Sequence, residues 1–281
     1  MRRARATLAA LAPMGLLGLA GCGAAPADGQ VAQFAPGSAQ EPAAEPAADK
    51  PELGLLTSLP LYWPLGADME SLAGGAFETP WQREVIERRY DIVPLDTLSP
   101  MPGLTGEAAD IDPLEGLERL AVIQPRGLSP ADNVALDDWV RGGGHLLLVL
   151  DPMLTSHFPL PLGDPRLPTI AATIPAVVKR WGLVVAFRGE HTHDVETVPF
   201  ADDGSNAPIV LRSMAGEILP DDGASPDCDY RADRMIARCN IEKGQVTLVA
   251  DAASFEYSLS ELAPESEADA PILALTQFAF D

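Results

Sequence analysis

Lysine is nearly missing from this chain. Of 281 residues only Lys50, Lys179 and Lys243 are lysines, and 19 Lys+Arg face 41 Asp+Glu, for a formal charge of -22. Binding to nucleic acid needs clustered cations that displace counterions from phosphates, so that class is excluded. Long apolar runs are also lacking: nothing approaches the ~20 uninterrupted apolar residues of a transmembrane helix. Cysteine occurs three times, with no CxxC spacing, which leaves the usual zinc and dithiol motifs without a start. There is no Gly-x-Ser-x-Gly nucleophile turn and no Asp-x-Asp-x-Asp-Gly calcium loop. What is present is 47% hydrophobic residues, ample for a core.

The first 21 residues read as a processed leader. Arg2, Arg3 and Arg5 precede the apolar run Leu8–Leu19, which Pro13 interrupts, and small residues follow. Leu19-Ala20-Gly21-Cys22 looks like a bacterial lipobox, in which the cysteine takes diacylglycerol and further acyl chains such as palmitate. Cleavage before Cys22 removes three Arg and no acid, so 16 cations face 41 acids and the mature charge is -25. Residues 22–50, rich in Ala and Pro, bury too little to offset ordering entropy and read as a disordered tether behind the lipidated Cys22. Gly23 lacks the Asp that retains lipoproteins in the inner membrane, which favours the outer membrane, facing the periplasm. Multiple acyl chains then hold the protein on the bilayer, since one alone binds marginally.

Residues 51–281 read as one α/β domain. Gly54–Ser58 is a short strand, Pro80–Tyr90 an amphipathic helix carrying Val85 and Ile86, and Tyr90–Leu95 a second strand whose Pro94 confines it to an edge. Arg119–Gln124 is a third. The next helix has Ser129 as N-cap, Pro130 at its first position and Asp132 at the third, with Leu136, Trp139 and Val140 as its apolar stripe and Gly142-Gly143-Gly144 as its stop. His145–Leu150 is uniformly apolar, as expected of a strand covered on both faces. Ile174–Trp181 reads as a helix leading into Leu183–Phe187, and Gln245–Ala250 as another buried strand. The order predicts a doubly wound, mostly parallel sheet, flavodoxin-like or amidotransferase-like, with a β-rich insertion about residues 190–242. No internal repeat is visible.

Cys228 and Cys239 flank a stretch centred between Asp233 and Arg234. If Asp229–Arg231 and Met235–Arg238 pair as a hairpin, the two cysteines lie opposite each other, and an oxidising compartment favours a disulfide. A metal pair or redox couple is the alternative, with no histidine nearby in sequence.

Leu120–Met153, Lys179–Leu183 (KRWGL) and Lys243–Glu256 (KGQVTLVADAASFE) resemble the uncharacterised ABC-type transport-system domain, the GldG-like group, whose fold is similar to class I glutamine amidotransferases. The resemblance implies a non-catalytic accessory or binding subunit working with ABC transporter permease and ATPase subunits. Members of that group are held by transmembrane helices, whereas lipid on Cys22 would hold this chain. In the amidotransferases a nucleophilic cysteine occupies the turn after a central strand; the corresponding turn here begins Asp151-Pro152-Met153, with neither Cys nor Ser.

Ligands of open α/β sheets sit beyond the carboxyl ends of the strands. Ser58, Gln124, Arg126, Asp151 and Asp251 fall at such ends, with Trp63 overhanging, and form the candidate ligand-binding set. The plainer expectation is that Arg126 and Asp151 pair or cap neighbouring helices. Glu190-His191-Thr192-His193-Asp194 places two imidazoles two residues apart, and His157 is the only further ligand in view, so a metal-dependent periplasmic hydrolase is the enzymatic alternative. A free-standing envelope structural lipoprotein is the third reading. Asp202-Asp203, Asp221-Asp222 and Glu261–Asp269 read as solvated surface acid. No cofactor is implied.

Overall fold

The structure is a computed structural model that describes residues 50–67, 69–75, 77–103, 109–187, 195–199, 208–212, 216–257 and 270–281. The leader, Cys22 and the tether lie outside these residues, as do His191, His193, Asp202-Asp203 and Glu261–Asp269. In chain order the elements are β1 (Glu52–Thr57), α1 (Met69–Gly74), α2 (Trp81–Glu87), β2 (Asp91–Pro94), β3 (Arg119–Ile123), α3 (Pro130–Gly142), β4 (His145–Val149), α4 (Ala176–Arg180), β5 (Leu183–Phe187), β6 (Val195–Pro199), β7 (Pro208–Arg212), β8 (Gly216–Pro220), β9 (Cys228–Arg231), β10 (Ile236–Ile241), β11 (Gly244–Val249), α5 (Ala253–Glu256) and α6 (Ala270–Phe280).

Seven strands make the main sheet in the order β2-β1-β3-β4-β11-β10-β9. The first five run parallel, and β10 and β9 continue the sheet antiparallel. The sheet is therefore mostly parallel, as the sequence predicts. The uniform apolar character of β4 follows from its place at the centre. Leu147 and Val149 point into one apolar cluster with Val85 and Ile86 of α2 and Ile272 and Leu275 of α6. Leu146 and Leu148 point into another with Leu136 and Val140 of α3 and Val177 and Val178 of α4. Side chains that alternate across the strand thus find a covered face on both sides. β2 is an edge strand, where Pro94 costs no ladder hydrogen bond.

α3 starts as expected. Asp132 N donates to Ser129 Oγ at 3.1 Å and Ser129 N donates to Asp132 Oδ2 at 3.0 Å, a reciprocal capping box. It ends at Gly143, whose φ of 126° suits glycine. At the other end of the sheet Cys228 and Cys239 are register partners across the β9–β10 hairpin and form a disulfide, with Cα atoms 4.0 Å apart.

Two features depart from the sequence reading. Leu183–Phe187 is a strand, but it stands outside the main sheet and pairs antiparallel with β8. The position beside β4 is taken by β11, in register from His145 to Val149. The stretch about residues 190–242 is also not one insertion: β6 pairs with β7, β8 with β5, and β9 and β10 belong to the main sheet.

Candidate functional site

The carboxyl ends of the parallel strands bring four of the six candidate residues together. Ser58 follows β1, Gln124 follows β3, Asp151 lies beyond β4 and Asp251 beyond β11, and all four are buried. Ser58 Oγ donates to Gln124 O at 2.5 Å and accepts from Thr169 N at 3.0 Å. The Gln124 carboxamide accepts from Asp151 N (2.8 Å) and donates to Asp151 O (3.0 Å) and Thr169 O (2.8 Å). The Asp151 carboxylate accepts from Met153 N at 2.7 Å and Ala252 N at 3.0 Å, and Asp251 accepts from Ala253 N at 2.7 Å. These are the hydrogen bonds that buried polar groups require. They tie loops to strand ends and leave no carboxylate of this set facing an open cleft.

The element that closes the network is a strap over residues 159–175. Pro159, Pro161, Pro165, Pro168 and Pro175 restrict its backbone, so it orders without regular secondary structure. The peptide of Thr169 lies between β1 and β3, donating to Ser58 and accepting from Gln124. Leu154 N donates to Ile170 O at 2.8 Å and Ala172 N to Asp151 O at 2.9 Å, binding the strap to the turn after β4. The chain's direction of growth reverses between β1 and β3, the crevice where open α/β sheets hold ligands. Here the protein's own peptide sits in it. Gln124 adopts a left-handed φ of 45° to reach both partners, a conformation uncommon outside glycine.

Trp63 and Arg126 stand apart from this network. Trp63 is 44% exposed and meets Tyr62 and Phe77 edge to face, with centroids 4.8 and 5.3 Å away. The Arg83 guanidinium lies 4.5 Å from the Tyr62 centroid, a cation–π contact, and is held by Glu87 at 2.7 Å. Clefts of about 250 and 180 Å³ open on either side of Pro60 and Trp63, the first reaching Ser58 and Arg166 and the second Asp96. Arg126 is exposed and makes no ion pair with a described residue, so it does not neutralise Asp151. His157 is exposed too, and among the described residues no three His, Cys, Asp or Glu side chains are placed to hold a metal ion.

Two carboxylates that the sequence offers as ordinary helix residues do more. Besides capping α3, Asp132 Oδ1 accepts from Thr97 Oγ1 (2.7 Å), Leu98 N (2.9 Å) and Ser99 N (3.0 Å). Burial opposes its ionisation, but the bonds from Thr97, Ser129 and Leu98 outweigh it and hold the carboxyl far below the usual carboxylate range. Asp137 accepts from Arg141 Nε (2.9 Å), Arg180 Nε (2.5 Å) and Trp181 Nε1 (2.8 Å), joining α3 to α4. The capping by Ser129 and the i,i+4 pair of Asp137 with Arg141 are local, whereas Thr97, Leu98, Ser99, Arg180 and Trp181 lie more than 30 residues away in sequence and no local pattern points to them. Glu256 joins the same edge, its Oε1 accepting from Thr155 N and Ser156 N at 3.0 and 2.8 Å.

No family model and no curated protein sequence matches this chain. Among solved structures it is similar to an exo-beta-1,4-mannosidase from Opitutaceae bacterium strain TAV5, at 16% identity and a TM-score of 0.42 over 83% of this chain and 36% of that one. It is similar to a cytoplasmic protein from Salmonella typhimurium, at 12% identity and a TM-score of 0.44 over 81% and 98% of the two chains. A putative thua-like protein from Parabacteroides merdae aligns at 9% identity and a TM-score of 0.33 over 82% and 90%. The chain spans about a third of the mannosidase's length. At these values no activity passes from those proteins to this one.

Proposed function

We propose that the protein is a periplasm-facing lipoprotein, anchored in the outer membrane through Cys22, that serves as a non-catalytic accessory or binding subunit of an ABC-type transport system. Its domain is, on this reading, a doubly wound sheet resembling an amidotransferase that lacks the nucleophile. The parallel strands, counted along the chain, follow the order 2-1-3-4-5 with helices on both faces, which supports the doubly wound assignment.

The observation that carries the non-catalytic reading is Asp151. It stands where the amidotransferase nucleophile would, fully buried, with its carboxylate accepting from Met153 N and Ala252 N. A carboxylate so engaged holds a turn together, and acyl transfer needs an exposed nucleophile beside a base. The open clefts beside Trp63 are the places where a binding subunit would meet a ligand. Among the described residues no helix is long and apolar enough to cross a membrane; the lipid anchor rests on the lipobox-like Leu19-Ala20-Gly21-Cys22.

Membrane fractionation of cells carrying Cys22→Ala tests the anchor: release into the soluble periplasmic fraction is expected, and persistent tight membrane attachment would sink it. Detergent-solubilised wild type should co-purify an ATPase and a permease. Purification without either, or stoichiometric zinc that is lost on replacing His191 and His193, would overturn the transport role, the zinc in favour of a hydrolase.

A further inference from the structure

Three exposed large apolar side chains either line one groove or adjoin its lining in sequence. Val134, on α3, is 62% exposed, and Met101 and Ile111 are 42% and 50% exposed on the neighbouring loop, where they form an isolated antiparallel bridge. Between helix and loop runs a groove of about 600 Å³, with Ala131, Val134, Ala135 and Trp139 on one wall and Leu114 on the other. Ala131, Val134, Ala135 and Asp138 recur at i, i+3, i+4 and i+7, so they form one face of α3. The core face of the same helix is carried by Leu136 and Val140. Ala135 and Trp139 are partly buried against that same core cluster, so the exposed apolar part of the groove wall on α3 is Ala131 and Val134.

The groove's charge selects its occupant. Asp112 and Asp138 line it and no Lys or Arg does. Asp138 makes no ion pair with a described residue, and neither does Asp112, whose carboxylate accepts from Leu114 N at 2.9 Å. A second copy would bring the same acidic rim and a further charge of -22. Residues 23–49 and 258–269 of this chain carry acids and neither Lys nor Arg. The small Ala131 and Ala135 let a partner's backbone approach closely.

We infer that this groove docks a cationic amphipathic helix of another protein, its apolar stripe on Val134 and Trp139 and its Lys or Arg side chains beside Asp112 and Asp138. This goes beyond the function proposed above and holds with or without a transporter. The test is fluorescence anisotropy of the full chain with a labelled leucine–lysine peptide of two heptads, against a scrambled peptide of the same composition. The amphipathic peptide should bind about tenfold tighter than the scrambled one and shift the tryptophan emission of the chain, a shift that Trp139→Phe should remove while Trp63, Trp81 and Trp181 remain. Val134→Lys, at an exposed position, should weaken it about tenfold with unchanged circular dichroism and Tm, and Asp138→Asn should lower the salt dependence. Equal binding of the two peptides, undiminished binding to Val134→Lys, or an emission shift that survives Trp139→Phe would each overturn the inference.

Discussion

The side chain of Gln124 and the main chain of Asp151 exchange two hydrogen bonds, Asp151 N to Gln124 Oε1 at 2.8 Å and Gln124 Nε2 to Asp151 O at 3.0 Å. A carboxamide thereby takes the part of a neighbouring strand just beyond the ladder of β3 and β4, and its second N–H reaches on to the Thr169 carbonyl. One side chain holds the turn after the central strand and the strap that fills the crevice.

Replacing Gln124 with Leu keeps the volume and removes its three side-chain hydrogen bonds, leaving those of its main chain in place. The Asp151 N–H and the Asp151 and Thr169 carbonyls would then compete for fewer partners in a buried site. A loss of about 2–4 kcal/mol is expected, or a fall in Tm of about 5–15 °C for a domain of this size. Calorimetry of the variant checks it; a change within about 1 °C would show that water or the strap replaces the amide at no cost.

Gly244 opens β11 against the end of α3. A Cβ there would fall far inside contact distance of Val140 O and 2.5 Å from Gly144 O, both backbone atoms that cannot swing aside. Gly244→Ala should therefore destabilise by about 3 kcal/mol or more, whereas Gly142→Ala, where a Cβ meets nothing within 4 Å, should not. Urea unfolding of the two variants side by side separates a local steric clash from a general intolerance of alanine.

Acid should weaken the fold in two stages. His145, at the start of β4, is held below its ordinary pKa by burial and by Arg119 and Arg238, against the smaller pull of Glu118. Asp132 is held far below the carboxylate range. In both cases the unfolded chain binds more protons, so stability declines as pH falls. The His145 contribution is complete above about 6.5 and is lost below it, and that of Asp132 is complete above about 3.9 and is lost below that. Urea midpoints between pH 8 and pH 3 should show both, with His145→Asn removing the upper stage and Asp132→Asn the lower; a flat profile across both ranges would refute the assignment.

The local features of this chain are visible in its residues because each depends on neighbours. Ser129, Pro130 and Asp132 lie within one turn and cap α3 together. Cys228 and Cys239 are equidistant from a turn, and the hairpin makes them partners. Pro94 cannot donate in a ladder, and β2 lies at the edge. At the carboxyl edge, the positions of Ser58, Gln124, Asp151 and Asp251 follow from the strand ends, but what they do there does not. Their partners, Thr169, Met153 and Ala252, come from loops whose course no local pattern records; the five prolines in residues 159–175 disfavour helix and strand there but do not say where the stretch goes.

Composition, periodicity and capping alone determined that this is a mostly parallel α/β domain, that β4 is covered on both faces, where α3 begins and ends, and that Cys228 and Cys239 fall opposite each other if their flanks form a hairpin. Those properties depend on contacts a few residues apart or on burial on both faces. The tertiary structure alone decided that β11 rather than β5 lies beside β4, that β9 and β10 extend the main sheet, and that the switch crevice holds the peptide of Thr169. β5 and β11 are comparably apolar, so their own residues do not choose between them. The choice rests on contacts between segments tens of residues apart, formed only when the whole chain packs.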